Sequence, residues 1–252
     1  MNLRYVTCSD PRQDLAVVDV MNFLKNYPIA ELGVQAHPSA MSFGLPRNIW
    51  LDLITRSASV ARTPVNIAVH VNYEWCDDLC SGKMPYEIKS WMNRFNIYNN
   101  RPVIRRWQLN IGDRTRNFDA AAIAKLIRER PRIEFIFPYN DGVKDKIDAL
   151  YKTGAKFSLL YDSSYGYGIC PEKWNGPVYK DIPMGYAGGL SPENVVDNLN
   201  KISKQVPENY TTWIDAEGRL MKPGTREFDL MRARAYVQNA LAWQDKQNKK
   251  IR

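Results

Sequence analysis

Apolar and polar positions alternate along this chain in two registers. Short apolar runs of strand length are each followed by longer stretches in which apolar residues recur every three or four positions. The strand candidates are Leu3–Cys8, Leu32–His37, Val65–Val71, Val103–Leu109, Ile133–Pro138, Lys156–Tyr161, Ile182–Ala187 and Thr211–Asp215. Helix-period segments start at Asp10-Pro11 and at Pro46, then span Tyr86–Tyr98, Phe118–Arg128, Val143–Tyr151, Ser191–Ile202 and Arg226–Trp243. After the sixth strand, Ile169–Lys180 reads as loop with at most one helical turn.

Strands that alternate with helices pair in parallel through right-handed crossovers. Eight such units are the number that closes a (β/α)8 barrel. The competing architecture is an open doubly wound sheet, but its glycine-rich fingerprint is missing after the first strand. No linker rich in Pro, Gly or Ser interrupts the pattern, so residues 1–252 are expected to form one barrel domain.

Composition narrows the function classes. No apolar run reaches membrane-spanning length, and no signal peptide is recognised, so no membrane partner is expected. The four cysteines, Cys8, Cys76, Cys80 and Cys170, are too few for a disulfide framework, which points to reduced thiols and a cytoplasmic setting. Cys76 and Cys80 lack a second ligand pair, and His37 and His70 lie elsewhere, so no metal site is expected. The net charge of +8 suits either nucleic acid or an anionic small molecule. The basic residues are dispersed, so nucleic acid is not the expected partner. The oligomeric state is left open.

The stretch "MGYAGGLSPENVVDNL" (184–199) ends a strand in two glycines and opens a helix, with Ser191 as N-cap and Pro192 at the first helical position. A glycine turn ahead of a helix N-terminus is a phosphate cradle when N–H groups face a ligand, and otherwise a tight strand-to-helix turn. In a barrel it would lie after strand seven, where phosphate is commonly held. Other strand ends bring Cys8, Gln108, Asn110, Asp162 and Asp215 to the same mouth. A cysteine and an aspartate there could serve as base and acid. Equally, Cys8 could be a small buried hydrophobe and Asp162 a loop cap.

In order and spacing, "VTCSDPRQDLA", "WQLNIGD", "LLYDSSYGYGICPEKW", "GGLSPENV" and "EGRLMKPGTREFDLMRARAYV" resemble the motifs of the phosphoribosylanthranilate isomerase family. The resemblance implies a cofactor-free Amadori rearrangement of an anionic phosphoribosyl-amine, an aldose–ketose type isomerisation in tryptophan biosynthesis. It implies Asp162 as general acid, the Cys8 thiolate as base, and Gly188, Gly189 and Gly218 as a phosphate cradle. Gln108, Asn110 and Asp215 would then bind substrate, with no cofactor or metal. Cys8 and Asp162 would face each other across a basic mouth. Ser42-Phe43 stands where the family carries an arginine, Asn110 where it has a histidine, and Ala216-Glu217 where it has two serines. The alternatives are a related barrel acting on another phosphorylated small molecule or on a non-phosphorylated ligand, a non-catalytic binding protein, and RNA binding through the scattered basic and aromatic residues.

Overall fold

The computed structural model describes residues 1–11, 15–38, 47–112, 115, 117–162 and 167–250. Ser42 and Phe43, and residues 163–166 that follow Asp162, therefore lie outside the described residues.

Eight parallel strands close into a barrel in chain order: β1 (Asn2–Ser9), β2 (Ala30–Ala36), β3 (Asn66–Val71), β4 (Arg106–Leu109), β5 (Glu134–Tyr139), β6 (Ser158–Tyr161), β7 (Met184–Ala187) and β8 (Thr211–Ala216). Closure is made by β1 against β8, with Thr7 beside Asp215 and Cys8 beside Ala216. The helices are α1 (Val17–Asn26), α2 (Arg47–Ser59), α3 (Tyr73–Cys80), α4 (Tyr86–Met92), α5 (Ala120–Glu129), α6 (Lys144–Tyr151), α7 (Val195–Ser203) and α8 (Leu230–Lys250). No described helix is long and apolar enough to cross a membrane.

All eight expected strands are present, and no helix follows β6 among the described residues. Two local expectations change. An extra helix, α3, follows β3; its four buried residues, Trp75, Cys76, Leu79 and Cys80, sit among charged neighbours that dilute the helical period. The helix after β7 begins at Val195 rather than at Ser191. There the Asn194 carboxamide accepts the Ser191 N–H (2.8 Å) and donates to the Gly189 carbonyl (2.9 Å), so a compact turn comes first.

The barrel interior is charged. The Arg106 guanidinium is buried between the Tyr5 and Trp213 rings, 4.8 and 4.3 Å from their centroids. It pairs with buried Glu31 and lies 3.3 Å from Glu134 Oε2. Thr7 Oγ1 donates to Glu31 (2.8 Å), and Ser158 Oγ and Arg4 donate to Glu134 (2.7 and 2.5 Å). Burial pushes the Glu31 carboxyl up, and Arg106 opposes that shift. Ile136, Leu160 and Trp213 form a separate apolar cluster inside the barrel. The Trp213 indole lies so close to Gly185 that a Cβ there would meet it at 2.1 Å, which requires glycine on that strand.

Candidate functional site

The strand C-termini open into a cleft of about 1680 Å³. Gln108, Asn110, Asp162, Gly188, Gly189, Asp215 and Gly218 all line it, so tertiary structure brings together seven of the eight residues singled out in the sequence.

Cys8 is the exception. Successive strand residues point to opposite faces. Thr7 and Ser9 point inward, donating to Glu31 and Asp215, so Cys8 points out into the helix layer. It is fully buried in the main apolar core with residues of α8. Burial, reinforced by the Asp215 and Glu31 charges, pushes its thiol well above the ordinary range. Cys8 therefore does not face Asp162 and is not placed to act as a thiolate base.

The floor of the cleft holds a cluster that the sequence motifs did not assemble. Ser9 Oγ donates to Asp215 Oδ1 at 2.6 Å, and His70 Nε2 lies 3.7 Å from Asp215 Oδ2. Gly33 makes room for it: a Cβ there would meet Ser9 Oγ at 2.2 Å and the His70 ring at 3.0 Å. Burial raises the Asp215 carboxyl to about 8; the Ser9 hydrogen bond opposes this, while the Glu217 and Glu31 charges add to it. Burial, aided by the Arg106 charge, lowers His70 to about 4. At neutral pH the two therefore meet as neutral imidazole and protonated carboxyl rather than as an ion pair. A carboxyl that keeps its proton at pH 7 is a ready proton donor. Ser9 and His70 were not singled out in the sequence; a lone serine and a lone histidine carry no signal until β1, β3 and β8 meet.

The glycine turn after β7 is required by packing within the chain itself. Gly188 and Gly189 have φ of 123° and 61°, which favour glycine. The incoming β6–β7 connection packs directly on them. A Cβ on Gly189 would meet Cys170 N at 2.6 Å and the Gly168 carbonyl at 2.7 Å, and one on Gly188 would meet the Ile169 carbonyl at 3.1 Å and Asp162 Oδ1 at 3.7 Å. The glycines admit another backbone, and a carboxylate stands beside the turn. Gly218 differs, with open space where its side chain would be.

The expected basic mouth is not what the described residues form. Glu74, Asp77, Asp162, Asp215 and Glu217 line the cleft, against Arg219 as the one arginine or lysine among the described lining residues.

The neutral wall of the cleft is built from carboxamides. Gln108 Nε2 donates to Asn110 Oδ1 (2.7 Å), Asn110 Nδ2 to Asn72 Oδ1 (2.7 Å), and Asn72 Nδ2 to Gln35 Oε1 (2.6 Å). Asn72 Nδ2 also donates to the His70 carbonyl at 3.0 Å, which ties the series to the Asp215 cluster.

No family model and no curated protein matches the chain. Among solved structures, it is similar to monomers generated from the dimeric phosphoribosylanthranilate isomerase of Thermotoga maritima. The TM-score is 0.55 at 15% sequence identity, covering 94% of this chain and 98% of that one. The BexX/CysO complex of Amycolatopsis orientalis aligns with a TM-score of 0.48 at 16% identity, covering 98% of this chain and 92% of that one. The isomerase likeness places this chain in the same (β/α)8 architecture, with the cleft on the face where such barrels carry their chemistry.

Proposed function

We propose that the protein is a cofactor-independent isomerase of the aldose–ketose type, with Asp215 as proton donor and Asp162 as the second carboxyl, acting on a small molecule without net negative charge. The observation that carries this reading is Asp215, a cleft-lining carboxyl buried enough to hold its proton to about pH 8. In such a reaction the carbon beside the carbonyl loses a proton and the carbonyl oxygen gains one; the hydroxyl oxygen on that carbon then loses its proton and the former carbonyl carbon gains one. The electrons stay within the substrate, so no oxidant or reductant takes part. Asp215 gives the proton to oxygen, and Asp162 takes the proton from carbon. The acidic lining formed by the described residues supports a neutral or cationic substrate, because a dianion among carboxylates is repelled.

A second reading keeps phosphoribosylanthranilate as the substrate. It is supported by the shared architecture and by Gly218 and Arg219 at the cleft rim, and it needs a base other than Cys8.

The test is proton exchange into a panel of aldoses and ketoses in heavy water, followed by NMR, beside rescue of a tryptophan auxotroph lacking the isomerase. Exchange at the carbon next to the carbonyl, lost in Asp162→Asn and Asp215→Asn, supports the first reading. Rescue by wild type supports the second. Neither exchange nor rescue would leave a binding protein on an enzyme scaffold and overturn both.

A further inference from the structure

The four carboxamides run as one directional series from β4 to β2, each rung 2.6–2.7 Å long. All four residues line the cleft. A carboxamide offers two donor hydrogens and an oxygen with two lone pairs. The rungs fix the orientation of every amide yet use only part of this capacity. Gln108 spends one hydrogen, Gln35 one lone pair, and Asn110 one of each. The wall therefore presents donors and acceptors side by side, held rigid before any ligand arrives.

That pattern has a chemical complement. A phosphate or carboxylate only accepts hydrogen bonds and would leave the wall's acceptors unpaired, which is costly when buried. A hydroxyl both donates and accepts. The carboxylates around the wall are acceptors that hydroxyl hydrogens can satisfy.

Two aromatic side chains add an apolar element. Tyr73 and Tyr167 line the same cleft and are 67% and 83% exposed. Tyr73 is the first residue of α3 and sits at φ 53°, a left-handed conformation that bulky residues avoid. Its ring stands edge-on to His37, with centroids 5.3 Å apart. Strain of this kind concentrates at functional sites. A ring held there against its own backbone preference offers a flat apolar surface beside a rigid polar wall.

We infer that the cleft holds a carbohydrate subsite, in which Gln35, Asn72, Gln108 and Asn110 bind the hydroxyls of an unphosphorylated sugar or amino sugar and Tyr73 covers its C–H face. This rests on the proposed isomerase reading only for its choice of cleft, and it names the substrate class for that reading.

The experiment is calorimetric titration of the full chain with D-ribose, D-glucosamine, their phosphate esters and adenosine. It is run on wild type, Asn72→Leu and Tyr73→Asn, with a thermal melt of each. The Asn72 side chain does not cap α3, so its removal spares that helix. Asparagine tolerates φ near 53°, so Tyr73→Asn relieves strain while deleting the ring. The expected result is binding of the free sugars above their phosphates and above adenosine. It weakens by about three- to tenfold in Asn72→Leu. Tyr73→Asn should weaken it similarly without lowering the melting temperature. No sugar binding by wild type at millimolar concentration overturns the subsite, as does preference for the phosphates or for adenosine. Sugar binding without isomerisation would instead fault the proposed reaction and leave the subsite standing.

Discussion

Ser9 Oγ donates a 2.6 Å hydrogen bond to Asp215 Oδ1 and so joins the ends of the first and last strands at the floor of the cleft. The bond stabilises the charged form of Asp215 and opposes the burial that raises its pKa to about 8. Ser9→Ala removes that opposition. The alkaline limb of the activity profile should then move to higher pH, with the acid limb unchanged. A pH–rate profile of wild type and variant checks this, and a limb that stays in place would dissociate Asp215 from the reaction.

Asp215→Asn should lower turnover at least about a hundredfold, the lower end of what general acids supply. It should also change stability in a definite sense. The folded pKa of about 8 lies above the ordinary 3.8. The protonated carboxyl's contribution is complete below about pH 4 and is lost as pH rises through about 8. The melting temperature of Asp215→Asn relative to wild type should therefore climb between pH 4 and pH 8. A flat difference would place Asp215 in water.

His70 works in the opposite sense. Its folded pKa of about 4 lies below the ordinary 6.5. The stability held by the neutral ring is present above 6.5 and is lost as pH falls toward 4. His70→Gln cannot be charged, so its melting temperature should gain on wild type as pH drops from 6.5 to 4. Melts at half-unit steps across that window measure it.

Cys8 lies in the helix layer, so Cys8→Ala should leave turnover per folded molecule unchanged. Cys8→Ser puts a hydroxyl in an apolar site and should cost about 1–3 kcal/mol of stability with the same intact turnover. Denaturant unfolding and an activity assay on one preparation separate these effects. A large loss of turnover in Cys8→Ala would restore the thiol to the mechanism.

Arg106→Met should destabilise the barrel by about 3–5 kcal/mol, because buried Glu31 loses its charge partner. Adding Glu31→Gln should recover a substantial part of that loss. A double-mutant cycle in urea gives the coupling, and additive losses would mean that Arg106 acts through packing on Tyr5 and Trp213 alone.

The sequence by itself determined the architecture. Each strand in a parallel barrel is buried on both faces and reads as a short apolar run, and each crossover needs a helix whose period of 3.6 is visible. Eight such pairs leave little choice of topology, and strand ends converge on one mouth whatever their side chains. For that reason Gln108, Asn110, Asp162 and Asp215 could be placed at the cleft before any coordinates. The same double burial hid the direction of each side chain. In Val6-Thr7-Cys8-Ser9 both faces are buried, so alternation does not say which face is the interior. Only the register of β1 against β2 and β8 turned Thr7 and Ser9 inward and Cys8 outward. Tertiary structure also decided what the glycines serve: at 188 and 189 they admit the Gly168–Pro171 backbone, and at 33 they admit Ser9 and His70. Charge was decided there too. A sequence sums its charges, whereas a cleft feels the few within several ångströms, and among the described lining residues carboxyl groups outnumber the one arginine.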